Sequence, residues 1–145
     1  MNKVLLLLLF PAFINAQSTV LKSLEDCNKI SEEVTKNFLK GDYSAAVDEM
    51  SAVWPISDQE KQGFLDKTIQ SMPKVNAYYG EFIGYEKIED EKLGTIGYTE
   101  IYALKMEKSA LRMIFIYYKG EDGWILHSFT WDDGFKKMFK LNLDD

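Results

Sequence analysis

Residues 111–132, LRMIFIYYKGEDGWILHSFTWD, decide the architecture of this chain. Two runs rich in Ile, Tyr, Phe and Trp flank Gly120-Glu121-Asp122-Gly123, with alternating character on either side. Period-two alternation places successive side chains on opposite faces of a strand, and Asp-Gly between two such runs is the strongest short hairpin signal. Upstream, residues 96–106 and 81–89 repeat the pattern, with polar breaks at 107–110 and 91–94. Four strands joined by short turns predict an antiparallel meander.

Before Gly80 the period lengthens to that of a helix. Val20, Leu24, Cys27, Ile30 or Ser31, Val34 and Phe38 recur every three to four residues and mark one long amphipathic helix, which Gly41 should end. Asp42 can cap a second, shorter helix through Ala45, Ala46, Val47 and Met50, broken before Pro55. Ser57-Asp58-Gln59-Glu60 is a capping box that opens a third helix with Phe64, Leu65, Thr68, Ile69 and Met72, and Pro73 is expected to close it. The expected fold is α+β: three N-terminal helices packed on one face of a curved antiparallel sheet of about four strands.

Turn positions assign the faces of that sheet. A two-residue turn at Lys108-Ser109 sets Tyr102 opposite Phe115 and Ala103 opposite Ile114. A turn at Glu121-Asp122 or at Asp122-Gly123 gives one assignment for the last strand. One face then carries Thr99, Ile101, Ala103, Arg112, Ile114, Ile116, Tyr118, Ile125, His127, Phe129 and Trp131. Its branched aliphatic content suits packing beneath the helices. The other carries Tyr98, Glu100, Tyr102, Leu104, Met113, Phe115, Tyr117, Trp124, Leu126, Ser128, Thr130 and Asp132. It is too apolar for open water and reads as an interaction surface, so a homodimer through Tyr98, Tyr102, Phe115, Tyr117 and Leu126 is expected. The alternative is cover by the chain itself, from Phe135, Met138 and Phe139.

At the other end, Met1-Asn2-Lys3 supplies a positive charge, Val4 to Phe10 is an unbroken apolar run, and Ile14-Asn15-Ala16 closes it with a small residue. That pattern is a secretory signal peptide over residues 1–16, too short to span a bilayer, followed by one domain over 17–145. A periplasmic or extracellular location follows. Without residues 1–16 the chain has 16 basic and 23 acidic residues, with Arg112 the single arginine. Such a balance fits neither nucleic acid nor an anionic membrane surface. Cys27 is the only cysteine, so no internal disulfide forms, and a buried structural thiol is the expected role. Leu24-Glu25-Asp26-Cys27 lies too far past the apolar run to serve as a lipidation box, and no Asn-x-Ser/Thr acceptor occurs.

Catalytic motifs are few. One His and one Cys a hundred residues apart rule out an ordinary zinc site, and Glu89-Asp90-Glu91 lacks calcium-loop spacing. No metal or cofactor is expected. There is no Gly-x-Ser-x-Gly elbow, Gly94-Thr95-Ile96-Gly97 reads as a turn, and residues 136–140 as a solvated lysine-rich edge. His127 is the one candidate general base, near Tyr118 and Trp131 with Arg112 further along the same face. A histidine satisfied by one hydrogen bond is the blander account of it, as core packing is of Tyr118 and Trp131.

The order of a long helix, two shorter helices and a Tyr-rich antiparallel sheet resembles the nuclear-transport-factor-2-like superfamily. The phrases Phe38-Leu39-Lys40-Gly41-Asp42-Tyr43, Gly123-Trp124 and the final Phe129 carry the resemblance, which covers about residues 18–132. That group includes ketosteroid isomerases, polyketide cyclases and exported bacterial domains of unknown function. It implies a cone-shaped pocket between helices and sheet and dimerisation through the outer sheet face. Its enzymes place an Asp or Glu inside the cone, helped by a Tyr, Asp or His. Here parity points Glu100 and Asp132 outward, which counts against isomerase or cyclase chemistry. The expected function is an exported, non-catalytic binding or interaction domain, a bacterial homodimer whose apolar or aromatic ligand touches Arg112, Tyr118, His127 and Trp131. The alternative is a cofactor-free lyase or isomerase with His127 as base and Tyr118 or Arg112 stabilising an oxyanion.

Overall fold

The computed structural model describes residues 19–139; the expected signal peptide lies outside them. Helices α1 (Leu24–Leu39), α2 (Tyr43–Ser51) and α3 (Asp58–Tyr79) precede strands β1 (Phe82–Leu93), β2 (Gly97–Met106), β3 (Ala110–Lys119) and β4 (Trp124–Asp132), and a short 3-10 turn spans Phe135–Met138. The α+β expectation holds, with one four-stranded antiparallel sheet in the order β1-β2-β3-β4.

Local chemistry explains the helix ends. Ser23 caps α1 in a box with Asp26, so α1 starts four residues later than Val20. The residues before it run along the sheet instead: Leu21 and Trp124 exchange two backbone hydrogen bonds of 2.8 Å. Gly41 takes the left-handed conformation (φ 72°) that ends α1, and Asp42 caps α2 through the Ala45 amide. Ser57 and Glu60 form the expected box on α3.

Pro73 does not close α3, which continues to Tyr79 and stops at Gly80. Pro73 is exposed, so the carbonyl that loses its amide partner faces water, and the buried Met72 beside it keeps the helix on the core.

The β2–β3 turn sits one residue earlier than expected, at Glu107-Lys108. Met106 N–H donates to Ser109 O, and Tyr102 lies opposite Met113 rather than Phe115. A shift of two residues leaves the faces unchanged. In β3–β4 the turn at Glu121-Asp122 holds, with Tyr117 opposite Leu126, but Ile116 pairs with Ser128. His127 is therefore an extra residue, a bulge that reverses parity for the rest of β4. Phe129 and Trp131 consequently join the face of Phe115 and Met113. β1 carries two such irregularities of its own, beside Ile83 and Ile88.

The larger correction concerns which face the helices cover. Tyr98, Glu100, Tyr102, Leu104, Met113, Phe115, Tyr117 and Leu126 are buried beneath them, so the surface expected to be open is the inside of the protein. Two features of the chain explain the choice. The buried stripe of α1 carries Ser31 and Thr35 beside Cys27, Val34 and Phe38, which offers polar partners to the tyrosine hydroxyls. The large rings of this face also meet rings from the helices. Phe129 packs on Phe115 at 4.7 Å between centroids, Phe64 at 5.5 Å and Phe38 at 5.8 Å, and touches Trp54 as well. Edge-on ring pairs add about 0.5–1.5 kcal/mol each beyond burial.

Candidate functional site

Behind the aromatic layer, α1, β1, β2 and β3 converge on one polar cluster. Glu100 of β2 is its centre and is 0% exposed. The Ser31 hydroxyl of α1 donates to Glu100 Oε2 at 2.6 Å and lies 2.7 Å from the Tyr117 hydroxyl, which donates to the Cys27 carbonyl at 3.0 Å. Thr35 donates to the Ser31 carbonyl at 2.7 Å.

Lys87 closes the cluster from β1. Its Nζ stands 2.8 Å from Glu100 Oε1, an ion pair off the axis of a hydrogen bond, and 2.8 Å from Asp90 Oδ2. Asn28 Oδ1 and the Tyr98 hydroxyl complete its surroundings at 3.3 and 3.4 Å, and Tyr98 donates to Asn28 at 2.8 Å. Leaving a buried carboxylate unpaired is strongly destabilising, so Lys87 and Ser31 are what make Glu100 tolerable here.

The electrostatics of the cluster oppose nucleophilic chemistry. Burial pushes the Cys27 thiol up to about 12, assisted by the Glu100 charge, so a thiolate is disfavoured. Burial, again with Glu100, raises Tyr98 to about 12 and raises Tyr102 as well. Tyr117 is raised by burial against the opposing effect of Ser31. Burial works against charge on Lys87, but its bonds to Asp90 and Glu100 outweigh that and raise it. The same bond holds Asp90 below the usual carboxylate range.

The residues singled out from sequence lie elsewhere. The expected interface set, Tyr98, Tyr102, Phe115, Tyr117 and Leu126, is internal. Arg112, Tyr118 and His127 share a face as expected, but it is the open one. Arg112 forms a two-pronged pair with Asp132 (3.2 and 2.6 Å). Burial of Asp132 opposes its charge, yet the Arg112 bonds and the Gly134 amide lower it. His127 is exposed and Tyr118 is 47% exposed. Trp131 is on the other side, donating its indole N–H to Thr68 of α3 at 3.0 Å. The four therefore do not line one pocket.

Glu100, Lys87, Ser31 and Asn28 were missed. The signal for Glu100 was a lone acid between Tyr98 and Tyr102 within an otherwise uncharged run of β2; parity placed it correctly beside them, and only the choice of covered face was reversed. Among the described residues, no group of three or more His, Cys, Asp or Glu side chains is placed to hold a metal ion, and no helix is long and apolar enough to cross a membrane.

Two depressions on the surface are larger than a single side chain. A groove of about 360 Å³ runs between Lys74, Val75, Tyr78 and Tyr79 of α3 and Asp133. A hollow of about 240 Å³ opens on the uncovered face of the sheet at Gly97, walled by Glu91, Leu93, Thr99 and Ile116. Family models, curated proteins and solved structures return no match to this chain.

Proposed function

We propose that this chain is an exported, non-catalytic interaction domain of the nuclear-transport-factor-2-like kind, working as a homodimer through the open face of its sheet. The observation that carries the reading is the composition of that face: Ile101, Ile114, Ile116, Ile125 and Tyr118 sit side by side on the side opposite the buried one. Four strands about 4.8 Å apart, each about nine residues long, give a footprint of roughly 600 Å². With side-chain relief this approaches the about 800 Å² per partner of an ordinary stable interface. The hollow at Gly97 is the small apolar pocket of this reading. Residues 1–16 support export.

A native mass spectrum of the protein purified from an exporting host tests it. A dimer without a retained small molecule is expected; a monomer at every accessible concentration overturns it.

One observation favours a second reading, a cofactor-free lyase or isomerase. Glu100 lies on the inner face among Tyr98, Tyr102 and Tyr117, where enzymes of the resembling superfamily keep their acid. His127, on the open face, would have no part in it. Against this reading, Ser31 and Lys87 engage both Glu100 oxygens. A retained adduct that disappears in Glu100→Gln would favour it.

A further inference from the structure

The groove of about 360 Å³ beside the last two turns of α3 exists because that helix runs on past Pro73. A spacing of four brings helical side chains together, so Lys74 neighbours Tyr78 and Val75 neighbours Tyr79 in two adjacent rows. The facing wall is Asp133, just beyond β4. Two bonds of 2.8 Å hold its turn: Gly134 N–H donates to Asp132 Oδ1, and Phe135 N–H donates to the Asp133 carbonyl. The Tyr79 hydroxyl donates to Asp133 Oδ2 at 3.1 Å and ties the two walls together. The groove is thus braced before any ligand arrives, which lowers the cost of binding.

Its polar groups are only half answered. Lys74 has no hydrogen-bond or ion-pair partner among the described residues, and Asp133 Oδ1 accepts no bond from them. Although both line one groove, the two do not pair with each other. Tyr78 is 77% exposed, and its ring lies 6.1 Å from that of Tyr79, tilted by 47°. Among the described residues, cations stand over the rings of Tyr98 and Trp124 but over neither of these. Two tilted rings beside a half-free carboxylate attract an organic cation. A methylated ammonium suits them best, being weakly hydrated and matched to aromatic faces. The ammonium of Lys74, a compact point charge, calls for an anion. A ligand of one charge would leave the other group unanswered, whereas a dipolar one satisfies both.

We propose that this groove binds a small dipolar molecule, its methylated ammonium held by Tyr78, Tyr79 and Asp133 and its anionic end by Lys74. A free solute such as glycine betaine and a phosphocholine headgroup share this chemistry. The inference goes beyond the interaction-domain reading and uses no residue of the open face, so the two can fail separately. Solvated charges and two rings give a Kd on the order of 1 mM. A ligand held so loosely leaves during purification.

An NMR titration of the backbone amides of the whole protein tests this, with glycine betaine, tetramethylammonium and acetate as probes. Betaine should shift the amides around residues 74–79 and 133. Tetramethylammonium should shift the same amides with about fivefold weaker affinity, and acetate more weakly still. Lys74→Gln should reduce betaine to the level of tetramethylammonium and leave tetramethylammonium unchanged. Tyr78→Ala and Asp133→Asn should each weaken both cations by about fivefold. All three side chains are exposed, so the remaining amides should keep their positions. Sedimentation with phosphatidylcholine vesicles separates the two sources. Pelleting that Tyr78→Ala abolishes assigns the ligand to the headgroup; betaine binding without pelleting assigns it to a free solute. Absence of both, or a betaine affinity indifferent to all three substitutions, overturns the inference and leaves the dimer reading untouched.

Discussion

The inner and outer faces of this sheet are made by the same four strands, and each is apolar enough to bury. They differ in what their polar atoms require. The inner face carries Tyr98, Glu100, Tyr102 and Tyr117, whose oxygens would be costly to bury alone, and α1 answers with Asn28, Ser31 and the Cys27 carbonyl. The outer face carries aliphatic side chains, half covered by their cross-strand neighbours, that need no partner. Hydrophobicity ranks the two faces nearly equal. Hydrogen-bond supply from the helix, together with ring-on-ring packing, decides between them.

Substitutions on the two faces should therefore act through different quantities. Phe129→Ala removes the ring on which Phe38, Trp54, Phe64 and Phe115 converge, and should lower unfolding free energy by about 3–5 kcal/mol in urea titration. A loss under 1 kcal/mol would mean that the inner face is not the core. Lys87→Met strips Glu100 of its counter-charge while keeping the stem of the side chain. About 2–3 kcal/mol should be lost, less than for a fully buried pair because Lys87 is partly solvated. Adding Glu100→Gln should return most of it.

The same pair sets a pH window. Lys87 is raised above its ordinary value, so its contribution is complete below about pH 10.4 and declines as pH rises toward the raised value. Stability should fall as pH rises above about 10.4, and Lys87→Met should lessen that fall. Tyr98→Phe removes one hydroxyl from the cluster and should cost about 1 kcal/mol, read from the same titrations. Smallest in stability is Ile116→Asp on the outer face, within about 0.5 kcal/mol for the monomer. Its effect should appear instead as loss of the dimer in sedimentation. If it unfolds the protein, the outer face is covered in a way the comparison does not allow.

Much of this fold was legible in the sequence because it was written in short-range chemistry. Strand limits agreed to within about one residue except at the end of β1, which runs on from Glu89 to Leu93; Gly94, Gly120 and Gly123 mark real turns, and the Ser57 box opened α3 as expected. What escaped were features decided at long range. A local rule makes Pro73 a stop because it ignores which side of the helix faces water. The His127 bulge has no local signature, and it alone moved Phe129 and Trp131 across the sheet. The choice of face depended on partners in α1, about seventy residues from Glu100 along the chain, and it moved every candidate site residue except Trp131, which the bulge returned to the covered side.

The sheet's two edge strands carry one more consequence, for how copies of this chain can accumulate. An uncovered edge strand is a template for adding strands without limit. β1 blunts its edge with two bulges and a run of charges from Glu89 to Lys92, and at β4 the rung at Trp124 is already taken by Leu21. Lateral growth into a ribbon is discouraged at both ends. In the proposed dimer, by contrast, association through the open face would consume the surface that drives it and stop at two.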